Sequence, residues 1–384
     1  MLGVHTRTMR QWVAAGELDR DLELLPGDEQ LRELELAGAG LTSPELSVLL
    51  AYSKMTLAAA VPAEVLATDP YYQPVLHRYF PKELADRYGD RLSAHPLAAE
   101  IIRTVVVNDL VNRGGISFMF RAAEETAAAP LELVRGYTFA RDVFALPDLW
   151  RQVRLLDNEV ATSAQGRVYL EARRLLDRTT RWMVQTHSSS WDLTTEVARY
   201  QPVVAELSPL LPDLLRGPER RRLQELAQAH IDEGVPADLA EAAALLLYQF
   251  QLLDVTRIAE RTDRPAREVA EIYFTISERW DVDGFLTRIS ALSRGGRWEA
   301  LARQALRSDL YSAQASLTAQ IVRSTDPTDD AATRVDQWLT ANESEVSRVG
   351  RTLEDIGTAE GDHDLASLSV ALRALRTLVA QSRG

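Results

Sequence analysis

Apolar residues recur at intervals of three or four positions along almost the whole chain, and this spacing decides the class of fold. In the segment that follows Thr42, the recurring residues are Leu46, Leu49, Leu50 and Leu57. Residues spaced in this way lie on one face of an α-helix, whereas a half-buried strand alternates apolar and polar residues, a pattern that is nearly missing here. The sequence therefore predicts an all-α protein of many helices, packed antiparallel.

Signals at the ends of helices support this prediction. Thr42 and Glu45 have the spacing of a capping box. Val48, Tyr52 and Met55 form a second apolar face on the helix that follows, which predicts burial on two sides. Other helices are predicted to begin near five prolines, which are Pro62, Pro81, Pro96, Pro130 and Pro147.

Two segments mark boundaries along the chain. The β-branched run TVVV at 104–107 is compatible with a short strand, but the following NRGG at Asn112–Gly115 favours a helix that ends at a glycine with positive φ. The segment Thr186–Pro218, rich in serine and proline, is predicted to separate two helical domains, 1–190 and 191–384. Beyond it, helices are predicted at Pro218–Glu233, Pro236–Arg261, Pro265–Trp280 and Asp283–Leu292, with three or four more from Arg297 to the end.

Composition excludes several classes of function. Because cysteine is absent, the chain has no disulfide, thiolate metal site or cysteine nucleophile. A net charge of −13 argues against nucleic acid and anionic membranes as partners, although Arg216–Arg222 is locally basic. The longest apolar run, Ala242–Tyr248, is too short to cross a bilayer, and the first residues do not resemble a signal peptide. We therefore expect a cytoplasmic protein that binds neither nucleic acid nor membrane.

Lysine is rare, which makes Lys54 the first candidate for a catalytic amine. Of the 43 basic residues, only Lys54 and Lys82 are lysines. A catalytic lysine needs a lowered pKa and a phosphate, carboxylate or carbonyl site beside it, and the residues flanking Lys54 supply none. On a helix it would share a face with Ser47, Ala51 and Ala58, where a lysine stem can follow an apolar edge while its ammonium reaches solvent. A structural role is therefore predicted.

Other motifs each lack a required part. Gly38–Ser43 (GAGLTS) has neither the third glycine nor the preceding strand of a dinucleotide-binding turn. Asp281–Gly284 (DVDG) begins like a calcium loop, but Leu292 stands where that loop needs an acidic residue. Glu124 and Glu125 are adjacent, point in different directions on a helix, and are predicted to lie on a solvated or interface face. The six histidines contain no i, i+4 pair and are interpreted as surface or core residues: His5, His77, His95, His187, His230 and His363. No catalytic, cofactor-binding or metal-ligating residue is assigned.

The segment Val255–Phe274 has apolar residues on both sides of a short turn, a pattern typical of a DNA-binding helix-turn-helix. Its second helix would carry mixed charge, from Arg264, Arg267, Glu268 and Glu271. An αα-hairpin explains the same residues and is preferred, with DNA binding as the less favoured alternative.

Several longer strings occur in an order that resembles one protein family. They are ELDRDLELLP (Glu17–Pro26), GLTSPELSVLLAYSK (Gly40–Lys54), RYFP (Arg78–Pro81), HPLAAEIIRTVVVNDLVNRGGISFMFRAAEET (His95–Thr126), LD (Leu156–Asp157) and RRLLDRTTRW (Arg173–Trp182). The chain resembles the C-terminal region of the large bacterial NAD-specific glutamate dehydrogenases. The resemblance is dense over the first half and returns at Arg257–Phe274.

This resemblance implies a parent enzyme that oxidatively deaminates L-glutamate to 2-oxoglutarate and ammonia, with NAD as the hydride acceptor. The family's catalytic lysines and aspartate lie in glycine-containing strings that do not occur here, so no catalytic or cofactor-binding residue is carried over. NAD is expected on the parent enzyme and not on this segment. The chain is then expected to be a helical fragment that follows the catalytic core and is inactive by itself.

Three roles stay open for such a segment. The preferred one is a scaffold that covers the catalytic core and builds contacts between the subunits of a homo-oligomer. A second is regulation, in which an anionic effector or a partner binds Arg216–Arg222 and biases opening of the catalytic cleft. The third is DNA binding by Val255–Phe274. The aromatic residues expected to build cores and interfaces are Phe118, Phe120, Tyr137, Phe139, Phe144 and Trp150.

Overall fold

The computed structural model describes residues 2–187, 191–292, 297–358 and 364–381. Within these ranges every regular element is a helix, and none is a strand. The predicted all-α fold is therefore confirmed.

The helices follow one another through short connections. The first eleven are α1 (Leu2–Ala14), α2 (Asp28–Leu36), α3 (Ser43–Ala60), α4 (Ala63–Thr68), α5 (Gln73–Tyr79), α6 (Lys82–Leu92), α7 (Ala98–Gly114), α8 (Phe118–Thr126), α9 (Pro130–Val143), α10 (Leu146–Arg154) and α11 (Thr162–Thr186). The rest are α12 (Leu193–Leu207), α13 (Leu211–Leu214), α14 (Gly217–Asp232), α15 (Ala237–Gln249), α16 (Leu252–Thr262), α17 (Ala266–Arg279), α18 (Val282–Ala291), α19 (Arg297–Ser324), α20 (Ala331–Ala341), α21 (Glu343–Thr358) and α22 (Leu365–Gln381). Short 3₁₀ helices lie at Pro70–Tyr72 and Ser208–Leu210.

The chain divides into two compact units. Unit 1 comprises Met1–Pro147 and Ala172–Ala198, and unit 2 comprises Asp148–Glu171 and Arg199–Gly384. The predicted division of the chain into two helical domains, 1–190 and 191–384, stays a prediction.

Helix α7 occupies the centre of unit 1, where it packs against α3, α4, α5 and α9. Ile102, Val106 and Leu110 are buried along one of its faces, and Val107 extends the buried surface. The run TVVV is thus helical, because its valines fill the core from within a helix. The helix ends at Gly114, and Gly115 has a φ of +90°, as the glycine pair predicted.

Helix α3 confirms its predicted cap but not its second buried face. The backbone N–H of Thr42 donates to the Glu45 carboxylate at 2.6 Å, which is one half of a capping box. Leu49 and Leu57 are buried, whereas Met55 is 54% exposed. The prediction of two-sided burial is therefore wrong at Met55, because the neighbouring helices cover only one side of this turn.

Helix α17 occupies the centre of unit 2, where it packs against α16, α18, α19 and α20. The helix predicted at Pro236–Arg261 is in fact two, α15 and α16, which meet at a turn closed by the bond from the Gln251 N–H to the Tyr248 carbonyl, 3.0 Å. This turn lets α15 pack on α14 while α16 packs on α17 and α19.

The segment predicted as a junction, Thr186–Pro218, is largely helical. It contains α12 and α13, and Pro202 lies inside α12. Ser188, Ser189 and Ser190, which suggested a break in the chain, lie outside the described residues.

Candidate functional site

Lys54 lies half-buried on α3, next to bonds that tie this helix to its neighbours. The Ser53 hydroxyl donates to the Ile116 carbonyl at 2.8 Å, and Arg103 donates to the Ala58 carbonyl at 3.2 Å. Lys54 is thus at the edge of a helix-packing surface, and the structural role assigned to it stays a prediction. Lys82 forms an exposed ion pair with Asp86 one turn along α6.

The two incomplete motifs serve as helix starts. Gly38–Ser43 follows helix α2 rather than a strand and leads into α3. Asp281 is the N-cap of α18, where its carboxylate accepts the Gly284 N–H at 3.2 Å and an Arg288 N–H at 2.7 Å. The Asp281 carboxylate is therefore occupied as a helix cap.

The histidines lie apart from one another. His95 accepts the Leu97 N–H at 3.1 Å, and His187 lies 3.3 Å from Glu196. His230 is buried, His77 is exposed, His5 is half-buried on α1, and His363 lies outside the described residues. In the part of the chain that the structure describes, no three His, Asp or Glu side chains are grouped as metal binding requires.

The helix-turn-helix pattern corresponds to α16 and α17, which pack on each other in the core of unit 2. The residues of the supposed reading helix that face this core are Val269, Ala270, Ile272, Tyr273, Phe274, Thr275, Ile276 and Ser277. Two arginines of the Val255–Phe274 segment pair with acids of α17, Arg267 with Glu271 at 3.3 Å and Arg264 with Glu268 at 3.9 Å. This arrangement is that of an αα-hairpin.

The basic run Arg216–Arg222 contains a buried acid that its local charge conceals. Glu219 is 1% exposed and accepts the Ser277 hydroxyl at 2.7 Å, and burial raises its pKa to about 8. Arg222 donates to Asp283 and Thr287, each at 2.9 Å. The other arginines of the run, Arg216, Arg220 and Arg221, are exposed.

Glu124 and Glu125 are half-buried, and the solvated or interface face predicted for them stays a prediction. Their side chains are 20% and 15% exposed, and each pairs with an arginine of unit 1. Glu124 lies 3.6 Å from Arg7, and Glu125 binds Arg181. Both carboxylates are half-buried because α8 lies between α1 and α11, whose arginines they meet.

Glu125 belongs to a group of charges that we call the arginine cluster, made of Arg121, Arg173, Arg181, Glu125 and Asp177. Arg121 donates to Asp177 from Nη2 at 3.0 Å, and Arg181 Nη1 lies 2.6 Å from the other oxygen of the same carboxylate. Arg181 is 3% exposed and also binds Glu125. The cluster therefore joins α8 to α11 by charged hydrogen bonds.

The cluster changes the pKa of its members in different directions. Burial by itself would raise the pKa of Asp177, but attraction from Arg181 and Arg121 outweighs it and holds this pKa below its usual value. Burial likewise opposes the charge on Arg181, yet Asp177 and Glu125 raise its pKa. For Arg173, burial and the neighbouring charge of Arg121 together lower the pKa. The charged form of Arg173 is thus less stabilised than that of Arg181.

Sequence reasoning missed this cluster, although one signal was available. Arg173, Asp177 and Arg181 follow one another at intervals of four in α11, so their side chains lie along one face of the helix. The partners on α8 come from a segment more than fifty positions earlier, as the separation of 56 between Arg121 and Asp177 records. No local pattern announces such a pairing.

No helix among the described residues is both long enough and apolar enough to cross a membrane.

Comparison with known proteins identifies the family. Residues 38–377 match the family described as glutamate dehydrogenase, C-terminal, and the chain belongs to this family. The class suggested by the resemblance is therefore confirmed.

Three relatives carry the same name. The chain is 36% identical to the NAD-specific glutamate dehydrogenase of Mycobacterium tuberculosis over 382 residues, which cover 100% of this chain and 23% of the relative. Identity to the enzyme of the same name from Pseudomonas aeruginosa is 36% over 379 residues, 99% of this chain and 23% of the relative. Identity to the enzyme of the same name from Halomonas elongata is 34% over 370 residues, which cover 96% of this chain and 23% of the relative. The chain thus spans about a quarter of the length of these relatives.

Proposed function

We propose that this chain is the C-terminal helical part of an NAD-specific glutamate dehydrogenase, and that it supports the catalytic core and the assembly of subunits. The parent reaction is then the oxidative deamination of L-glutamate to 2-oxoglutarate and ammonia, with NAD bound to other parts of the enzyme. By itself the chain has no dehydrogenase activity.

One observation carries the proposal, namely that the match covers all of this chain but only 23% of the relative. Most of the relative's length is therefore available to hold the substrate and NAD. The helices described here are also joined by apolar cores, as in α7 and α17, and this type of packing suits a supporting role.

Exposed leucines in the first part of unit 1 support the assembly role. Leu22, Leu24 and Leu36 are 79%, 86% and 89% exposed, close in sequence to a buried cluster that includes Leu25 and Leu31. Large apolar side chains grouped in this way on a surface favour contact with another protein surface. The catalytic core or a neighbouring subunit is the partner we propose.

Activity measurements test the first part of the proposal. The purified chain is expected to form no NADH from NAD and glutamate, and to bind no NAD in calorimetry. A parallel preparation of a chain with an unrelated sequence controls for host dehydrogenases. Glutamate-dependent NADH formation above that control would contradict the proposal.

Assembly of the parent enzyme tests the second part. Replacing both Leu24 and Leu36 by Asp places charges on the proposed contact surface. The variant enzyme is therefore expected to dissociate at a higher protein concentration than the wild-type enzyme, as measured by mass photometry. Glu35→Ala, a change at an exposed position in the same helix, is the matched control and should leave assembly unchanged. If neither the leucine variant nor removal of residues 191–384 alters assembly, the scaffold role is wrong.

A further inference from the structure

The guanidinium group of Arg173 occupies the space that a side chain at position 115 would fill. A Cβ built on Gly115 would lie 2.3 Å from Nη2 and 2.5 Å from Cζ of Arg173, which no real Cβ tolerates. The backbone at Gly115 also has a φ of +90°, a conformation that favours glycine. The Arg173 guanidinium therefore lies directly against the backbone of the loop that joins α7 to α8.

Arg173 differs from the other two arginines of the cluster in its acceptors. Arg121 and Arg181 donate to carboxylates, whereas Arg173 makes no hydrogen bond or ion pair with any described residue. The cluster therefore has three guanidinium groups and two carboxylates, and Arg173 pairs with neither Asp177 nor Glu125. Arg173 is half-buried, so its guanidinium is only partly hydrated, and its uncompensated positive charge attracts an anion.

The surroundings of Arg173 add to the positive potential. Helix α8 begins at Phe118, three residues after Gly115, and the N-terminal end of a helix carries partial positive charge. Ser117, which precedes it, is 0% exposed, and its hydroxyl has no partner among the described residues. His5 is half-buried close enough that, besides burial, the charges of Arg173 and Arg121 lower its pKa.

The site remains reachable from water, because the Arg121 side chain is 21% exposed. A guanidinium group presents parallel donors that match two oxygens of a carboxylate or phosphate. We propose that Arg173, with Arg121 and the N-terminal end of α8 nearby, forms a binding site for a small anion that presents carboxylate or phosphate oxygens. The bound anion supplies the acceptors that the cluster itself does not provide for Arg173.

This inference is separate from the dehydrogenase assignment. Anion binding is a property of unit 1 of this chain, and it can be measured without substrate, NAD or the rest of the parent enzyme. If the chain binds no anion, the proposed function is unaffected. If the proposed function is wrong, the anion site is unaffected.

Calorimetry and thermal unfolding of the 384-residue chain test the site. The probes are sodium phosphate and sodium malonate, compared with sodium chloride at the same ionic strength. We expect at least one of the two oxyanions to bind and to raise the unfolding temperature above that in chloride. The stronger of the two indicates whether phosphate or carboxylate oxygens are preferred.

Substitution of Arg173 by methionine removes the charge and keeps the volume of the stem. It is expected to weaken oxyanion binding roughly tenfold or more, since a charged hydrogen bond contributes about 1.5–3 kcal/mol. Arg173→Lys keeps the charge without the paired donors and should give an intermediate affinity. Arg78→Met removes an exposed arginine of α5, also in unit 1, and should have no effect.

Two results would overturn the proposal. One is an equal response of the wild-type chain to phosphate, malonate and chloride at matched ionic strength. The other is oxyanion binding by the Arg173→Met chain as tight as that of the Arg78→Met chain. Far-ultraviolet circular dichroism of each variant confirms that it is folded before binding is measured.

Discussion

Two arginines, one in each unit, are buried to different degrees and have different partners. In unit 2, Arg334 is 1% exposed, and its Nε donates to the Thr325 hydroxyl at 2.8 Å, its Nη2 to the Val322 carbonyl at 3.0 Å and its Nη1 to Glu268. In unit 1, Arg173 lies against Gly115 with a like charge beside it. The comparison teaches that burial alone does not show that an arginine stabilises the fold. It does so when acceptors surround its guanidinium nitrogens.

The buried carboxyl groups of the two units differ in the same way. Asp177 of unit 1 is held by two arginines, so its pKa is lowered in spite of burial. Glu219 of unit 2 has a serine hydroxyl as its partner, and burial raises its pKa to about 8. These two carboxyl groups should therefore contribute to the pH dependence of stability in opposite directions.

The largest expected effect is that of Arg334→Ala. Removing this guanidinium leaves Glu268 without its buried partner, so the free energy of unfolding of unit 2 should fall by about 3–5 kcal/mol. Hydrogen exchange of the α17 and α20 amides measures this loss. Arg376→Ala breaks an exposed ion pair with Asp309 and should cost less than about 1 kcal/mol. If Arg334→Ala and Arg376→Ala lower the free energy of unfolding equally and only slightly, the structural role given to Arg334 is wrong.

The next effect is that of Asp177→Asn, which removes the carboxylate shared by Arg121 and Arg181. Unit 1 should lose about 2–4 kcal/mol, because Arg121 then lacks an ionised acceptor and Arg181 keeps only Glu125. Since the folded pKa of Asp177 is lowered, its contribution is present above the unfolded pKa of about 3.9 and is lost as pH falls through the folded pKa. Exchange of the α11 amides between pH 3 and pH 7 tests both statements. Asp148→Asn, in an exposed pair, is the control.

Glu219→Gln should have a smaller effect that depends on pH. Because the folded pKa is raised, the carboxyl contributes its full stability below the unfolded pKa of 4.5, and this contribution is lost as pH rises towards about 8. Glutamine removes that loss, so unit 2 should become more stable by about 1–3 kcal/mol at pH 8 and change little at pH 4. Urea unfolding at several pH values measures the slope. The exposed control Glu225→Gln should keep the wild-type dependence of the unfolding free energy on pH. If Glu219→Gln keeps it as well, another group titrates.

The smallest effect is expected for Arg173→Met in the absence of an added oxyanion. No hydrogen bond to a described residue is lost and repulsion from Arg121 is relieved, so the free energy of unfolding should change by less than about 1 kcal/mol. Urea unfolding in chloride buffer measures it. A loss as large as that of Asp177→Asn would place Arg173 among the structural arginines, beside Arg334.

Local signals predicted the helices well where the chain itself carries them. The helices after Pro62 and Pro81 begin at Ala63 and Lys82, because proline at a helix start fixes φ and lacks an N–H that the helix does not need there. The turn between α15 and α16 was missed because no glycine or proline marks it. Its apolar residues, including Phe250, look the same whether one helix continues or two helices meet.

The sequence by itself determined the all-α class and the positions of most helices, since periodicity and capping act between residues a few positions apart. Its longer strings also determined the family to which the chain belongs. Only the tertiary structure decided which charges are paired, because Arg121 meets Asp177, and Arg334 meets Glu268, across more than fifty positions of chain. The same long-range packing places Arg173 against Gly115 without a carboxylate partner. The spacing of residues along the sequence does not predict this unpaired positive charge.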